Sequence, residues 1–325
     1  MKPRPDFRTF RLGEARALLD KFADDLRARG FSARSIRDYP ERVGQFIKFV
    51  DDAGTVERLA DITSAHVREY QTALSKRQTK RGARVPLSMS MIHTLLVALR
   101  TFFRFLVRTG FLLADPSSAI TFPKKRRNPP RYVPTESEVA VLIASYPNTP
   151  IGLRGRAMAE LFYGSAIRCA ELCALGVRDV DVVEGIVRVR RGKGGRDRVV
   201  PCGERAAAAV REYTGRARAR WIRTATDVLF LTVNGRALDV PTVDRMFREA
   251  CARAGLMKKI TPHCLRHACA THMLKGGANL RHVQEQLGHA SLSTTQVYTR
   301  LEITDLKRVH ERTHPRERDI AEAIA

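Results

Sequence analysis

The chain has 325 residues, with 58 Lys and Arg against 34 Asp and Glu for a formal charge of +24, and it is 44% hydrophobic and 28% charged. Those proportions fit a globular protein long enough for two cores, and they exclude a disordered tail or a collagen-like chain. No apolar run approaches the roughly 20 residues that span a bilayer. The opening MKPRPDFRTF also lacks the apolar core of a secretory signal, so a cytoplasmic protein without a membrane partner is expected.

In chain order, LGEARALLDKFADDLRARG (12–30) repeats apolar residues every three or four positions and ends at Gly30, which predicts a helix. Ser32 or Ser35 can cap a second helix over 35–54, with Pro40 in its first turn or distorting it. A third helix follows Thr63, residues 78–86 form a basic loop, and a long helix runs from Ser88 to Gly110. That last helix carries Leu95, Leu99, Phe102, Phe103 and Leu106 toward a core, and Arg100, Arg104 and Arg108 outward as a stripe suited to a phosphate backbone. Residues 115–134 contain five prolines and five basic residues and form an extended linker.

Beyond the linker, Thr135 and Glu138 form a capping box. Residues 154–175 read as helix with a break at Gly164–Ala166, and 185–202 as a hairpin about a glycine-rich tip. Further helices are predicted near 203–222, 241–254, 262–275, 279–287, 293–298 and 303–314. Positive charge is spread over all three stretches: net +9 in 1–115, +5 in 116–135 and +10 in 136–325. A long polyanion, nucleic acid foremost, is the partner such a surface suits.

No phosphate-binding GxxxxGKS/T loop, GxSxG elbow or GxGxxG turn occurs, and no paired carboxylates suggest a two-metal nuclease. The six cysteines should be reduced thiols. His263, Cys264, His267, Cys269 and His272 cluster in sequence, but without the paired CxxC or HExxH elements of a zinc site, so core thiols are the better reading and no metal is assigned. What remains is a scattered cationic set ending in a tyrosine: Arg168 with Glu171 one turn on, Lys193 at the hairpin tip, His263 and Arg266 one turn apart, and His289 nine residues before Tyr298.

In that order and spacing these segments resemble the tyrosine recombinases of the phage-integrase superfamily. HCLRHACATHMLKGGANLRHVQEQLGHASLSTTQVYTRL (263–301) is close to that family's signature, and THPR (313–316) is similar to the ending of its Xer-type members. GFSARSIRDYPERVGQFIKFV (30–50) and 89–116 look like its core-binding domain. The resemblance implies a mostly α-helical chain: a SAM-like DNA core-binding domain over 1–115, a basic linker over 116–135, and a mixed α/β catalytic domain with a small β-sheet over 136–325. From about residue 302 a C-terminal helix would be exchanged with a neighbouring protomer.

The resemblance further implies a site-specific recombinase that cuts and rejoins DNA through a 3′-phosphotyrosyl intermediate and a Holliday junction, in integration, excision or resolution. Arg168, Arg266 and His289 would bind the nonbridging oxygens, Tyr298 would attack, His263 would take the proton and Lys193 would protonate the departing 5′-oxygen. No cofactor is implied. Partners would be a duplex carrying a specific site, further copies of the chain in a tetramer, and a related recombinase or a DNA-bending accessory protein. DNA contacts are expected from Arg37, Arg100, Arg104, Lys124, Lys125, Arg126, Arg127 and Arg198. One departure is Ala166-Ile167 where the family has Gly-Leu before the first arginine. Relaxation by a type IB topoisomerase, and DNA binding without catalysis, remain as rival readings.

Overall fold

The computed structural model describes residues 15–77, 86–118, 120–122, 132–190, 197–288 and 300–317. The chain forms two compact units, Met1–Pro129 and Pro130–Ala325, dividing inside the proline-rich basic stretch.

The first unit is helical. Helix α1 (Ala15–Ala28) packs on α2 (Ala33–Asp52), and α3 (Ser64–Lys76) and α4 (Met89–Arg108) complete it. Ser32 caps α2 by accepting from the Ser35 N–H at 3.2 Å. Because α2 starts at Ala33, Pro40 lies beyond the first turn, and the helix runs through it. Pro40 has no N–H to give the Ile36 carbonyl, so the ladder lacks one bond there. Ser88 caps α4 through the Met91 N–H at 3.2 Å.

Among the described helices α4 is long and apolar enough to cross a membrane, contrary to the expectation that no apolar run comes close. Its apolar side chains are committed to a core instead: Phe102 meets Phe22 edge-on with centroids 5.2 Å apart, and Phe103 meets Phe46 at 5.8 Å. The outward stripe is also revised. Arg100 turns back and donates from Nη2 to the carbonyls of Ser117 (3.2 Å) and Ile120 (3.0 Å), its guanidinium lying 4.3 Å from the Phe122 ring centroid. Arg108 pairs with Asp25, leaving Arg104 exposed.

The second unit is built round α6 (Pro150–Ser165), which is buried on nearly every side as only a central helix can be. Helices α5 (Glu136–Ala144), α8 (Glu204–Arg216) and α10 (Pro262–Lys275) pack against it. The Thr135–Glu138 capping box that opens α5 forms as predicted. Strands β1 (Val180–Asp181), β2 (Ile186–Val189) and β3 (Arg198–Pro201) make an antiparallel sheet in the order β1-β2-β3, with Val187 opposite Val200. The hairpin was predicted; the two-residue β1 was not. Helix α9 (Val240–Arg253) lies against α7 (Cys169–Ala174), and α11 (Leu280–Leu287) and α12 (Arg300–Thr313) close the unit beside β3.

Gly164 allows the C-terminal end of α6 to meet the chain leaving β3. A Cβ there would stand 2.1 Å from the Cys202 carbonyl oxygen, and no side chain fits that gap. The Gly164 carbonyl in turn accepts from Gln286 Nε2 at 3.2 Å and from His310 Nε2 at 2.7 Å. One backbone position therefore gathers α6, α11 and α12.

Candidate active site

The first arginine of the set lies at the turn that ends α6. Ala166 adopts φ 52°, ψ 26°, the left-handed conformation a glycine takes without penalty, so the Ala-for-Gly departure falls on the residue where it is felt. That turn lets Arg168 cap α7. Its backbone N–H donates to Glu171 Oε2 at 2.8 Å and its Nη1 to Glu171 Oε1 at 2.7 Å, while 28% of its side chain stays exposed.

Arg266, on α10 behind the Thr261 cap, is buried. It donates from Nη1 to the Ala166 carbonyl and from Nη2 to the Leu287 carbonyl at 2.5 Å. One guanidinium thus ties the turn before Arg168 to the turn before His289. Burial, and then the positive charges of Arg168 and Arg198, bring its pKa down to about 10, so it remains a cation at neutral pH. His263, one turn earlier on α10, is exposed.

Arg198 does not face outward as expected of a DNA contact. It donates from Nη1 to Glu171 Oε1 at 2.9 Å and from Nη2 to Glu171 Oε2 at 2.7 Å, with only 6% of its side chain exposed. Burial alone would raise the Glu171 carboxyl, but the hydrogen bonds and charges of Arg198 and Arg168 outweigh it and hold the pKa at about 2. Three arginines around one carboxylate leave an excess of two positive charges, an arrangement that favours an anionic ligand.

Arg37 and Arg104 are exposed, Arg37 with its Nε 3.0 Å from Asp38 Oδ1. Lys193, His289, Tyr298, Lys124, Lys125, Arg126, Arg127 and the predicted helix at 293–298 lie outside the described residues. Among the described residues no group of three His, Cys, Asp or Glu side chains is arranged to hold a metal. Cys269 is buried, and His272 Nδ1 shares a 2.8 Å hydrogen bond with the Tyr163 hydroxyl.

The docking of the C-terminal segment was not anticipated. In the single chain, residues 305–317 pack on the chain's own body. His310 Nε2 donates to Gly164 O, His314 Nε2 to Tyr163 O at 3.1 Å, and Lys307 pairs with Glu184 at 3.0 Å. Arg316 forms an ion pair with Glu160, and Glu317 accepts from the Glu204 N–H at 3.2 Å where α8 begins. The sequence signal for this was THPR, whose proline stops the helix at the point where the chain turns inward.

The sequence pattern of the Phage integrase family matches residues 133–323, and that of the Phage integrase N-terminal SAM-like domain matches 19–110. The chain is 38% identical over 287 residues to Tyrosine recombinase XerC 2 of Ralstonia nicotianae, covering 88% of this chain and 82% of the relative. It is 37% identical over 292 residues to Tyrosine recombinase XerD of Corynebacterium glutamicum, covering 89% and 94%. In fold it is similar to the XerH site-specific recombinase bound to a palindromic difH substrate, with a TM-score of 0.64 at 18% identity over 94% of this chain and 83% of that one.

Proposed function

The chain belongs to the phage integrase family as a tyrosine recombinase, and on that premise we propose how its residues divide the work of cutting and rejoining DNA. It is a site-specific recombinase, exchanging strands through a covalent 3′-phosphotyrosyl intermediate and a Holliday junction. Its SAM-like N-terminal domain and Xer relatives do not favour the topoisomerase reading.

Tyr298 supplies the nucleophile. Its hydroxyl oxygen bonds to the scissile phosphorus, the phenolic proton passes to His263, and the bond from phosphorus to the 5′-oxygen breaks. Lys193 protonates that leaving oxygen. Charge accumulates on the two nonbridging oxygens during the step, and Arg168, Arg266 and His289 meet it. The observation that carries this reading is the pair of arginines set on one turn, Arg168 partly exposed and Arg266 locked beneath it by two carbonyls. Because a phosphodiester is exchanged for a phosphotyrosine and back, little free energy is lost and religation needs no nucleotide.

We place this chemistry in a cytoplasmic tetramer of recombinase protomers acting on two copies of the DNA site. The test is capture: the protein is incubated with fragmented, nicked genomic duplexes, and DNA left covalently attached after denaturation is sequenced. A recurrent site joined to Tyr298 is expected. Tyr298→Phe should abolish capture while leaving duplex binding within about twofold, since one hydroxyl adds little to a contact dominated by phosphate charge. Wild-type protein that captures no DNA, or Tyr298→Phe protein that still does, overturns the assignment.

A further inference from the structure

Arg198 stands at the crossing of the segments that carry the proposed chemistry. Through Glu171 it is joined to Arg168. It opens β3, directly after the hairpin tip that contains Lys193. Its stem lies under Gly288, the residue before His289. Gly288 has φ +60°, and a Cβ there would stand 2.6 Å from Arg198 Cδ and 2.7 Å from Nε. The backbone therefore passes over the Arg198 side chain at a distance only glycine permits.

We propose that Arg198 is a positioning residue for strand cleavage, which keeps Arg168 available to the phosphate by sharing its carboxylate. This deepens the proposed function and rests on Arg168 being a phosphate ligand. Glu171 accepts four hydrogen bonds: Oε1 from Arg168 Nη1 and Arg198 Nη1, Oε2 from the Arg168 backbone and Arg198 Nη2. Only 7% of its side chain is exposed, so water can do little for it. With Arg198 in place the carboxylate is satisfied and Arg168 gives it a single side-chain nitrogen. Without Arg198, the buried carboxylate keeps Arg168 as its hydrogen-bonding cation, Arg266 being spent on two carbonyls, and the forked geometry of Arg168 invites a two-pronged pair. The carboxylate then competes with the DNA phosphate for Arg168.

The consequence is sign-dependent epistasis. Arg198→Met should slow covalent capture about 100-fold, as misplacement of a reacting group by an ångström does. Duplex affinity should stay within about twofold and the slope of log K against log salt should not change, because no phosphate contact is lost. Adding Glu171→Gln to Arg198→Met removes the charge that traps Arg168 and should recover at least about tenfold of the lost rate. A merely structural role predicts the opposite, with the second substitution in one buried cluster adding further loss.

A DNA-free measurement runs beside it. Modification of Arg168 by phenylglyoxal, read by peptide mass spectrometry, should slow at least threefold in Arg198→Met and recover in the double variant. Arg198→Lys, which keeps one donor and the charge, should lie between wild type and Arg198→Met in both assays. The proposal is overturned by a salt slope shallower by about 0.9 in Arg198→Met, which marks a phosphate contact, by no rescue with Glu171→Gln, or by unchanged Arg168 labelling. If wild type captures no DNA the functional assignment fails, whereas capture by wild type and Arg198→Met at equal rates fails this inference alone.

Discussion

Acid should loosen the docked C-terminal segment, and His310 gives the size of the effect. Its ring is fully enclosed, stacked 4.6 Å from His314 at an interplanar angle of 6°, with Nε2 on the Gly164 carbonyl. Both carbonyl contacts need an Nε2–H, which a neutral or a charged ring supplies, but two stacked imidazoliums would repel and their burial would be costly. Burial, against the opposing Gly164 hydrogen bond, lowers the His310 pKa from 6.5 to about 4. Burial and the charge of His310 lower that of His314 as well.

A group whose pKa is depressed on docking binds more protons when undocked, so its contribution is complete above about pH 6.5 and is lost as pH falls toward 4. Between pH 7 and pH 5 the linkage for His310 alone comes to about 2 kcal/mol, or about 20-fold in the opening equilibrium. Glu317, raised chiefly by burial, changes in the opposite sense and offsets part of this.

Hydrogen exchange of residues 305–317 at pH 7 and pH 5, corrected for intrinsic rates, measures the opening. His310→Gln keeps an amide donor for Gly164 without the titration. Its pH dependence should be smaller than that of wild type by about 20-fold. Equal pH dependence in the two proteins would refute the linkage.

Arg316→Met leaves Glu160 charged and buried without its partner, and should destabilise the catalytic unit by about 3–5 kcal/mol in denaturant titration. A loss below 1 kcal/mol would show that the pair is not enclosed in solution. Ala166→Val puts a β-branched side chain at φ 52° with no room around it, and should cost more than about 2 kcal/mol. Retention of the wild-type melting temperature would mean the turn relaxes. Across all variants that leave the surface intact, DNA binding should weaken steeply between 50 and 200 mM salt (~10³-fold or more), and a flat titration would contradict a phosphate-dominated contact.

The sequence made the helices legible because each is bounded by local chemistry. Ser32, Ser88 and Thr135 cap the helices that follow them, and the apolar spacing of Leu95, Leu99, Phe102, Phe103 and Leu106 matches the buried face of α4. Arg168 and Arg266 stood out as members of an ordered set, and the fold brings both to the turn at Ala166. What could not be read were pairings across long separations. Glu171 and Arg198 are 27 residues apart and Gly164 and His310 are 146 apart, and no periodicity encodes either contact. An arginine on a basic hairpin looks like a phosphate contact until the fold turns it inward.

That error is informative about the charge itself. Arg100 holds two carbonyls of the segment after α4; Arg218 holds those of Thr226, Val228 and Leu229; Arg266 holds Ala166 and Leu287. Arg154 reaches the Leu231 carbonyl with its guanidinium 4.7 Å from the Trp221 ring centroid. In each case a flat, forked donor satisfies backbone oxygens that loops and helix ends leave open, a task the single point charge of lysine performs poorly. Part of the +24 therefore belongs to the interior. The same property explains the turn at Ala166: Arg266 can fix its geometry because its donors are spent on carbonyls, while Arg168 gives Glu171 one guanidinium nitrogen and Arg198 gives it two. Arginine in this chain is first a fastening for irregular backbone, and the cations left over after that use are the ones available to DNA.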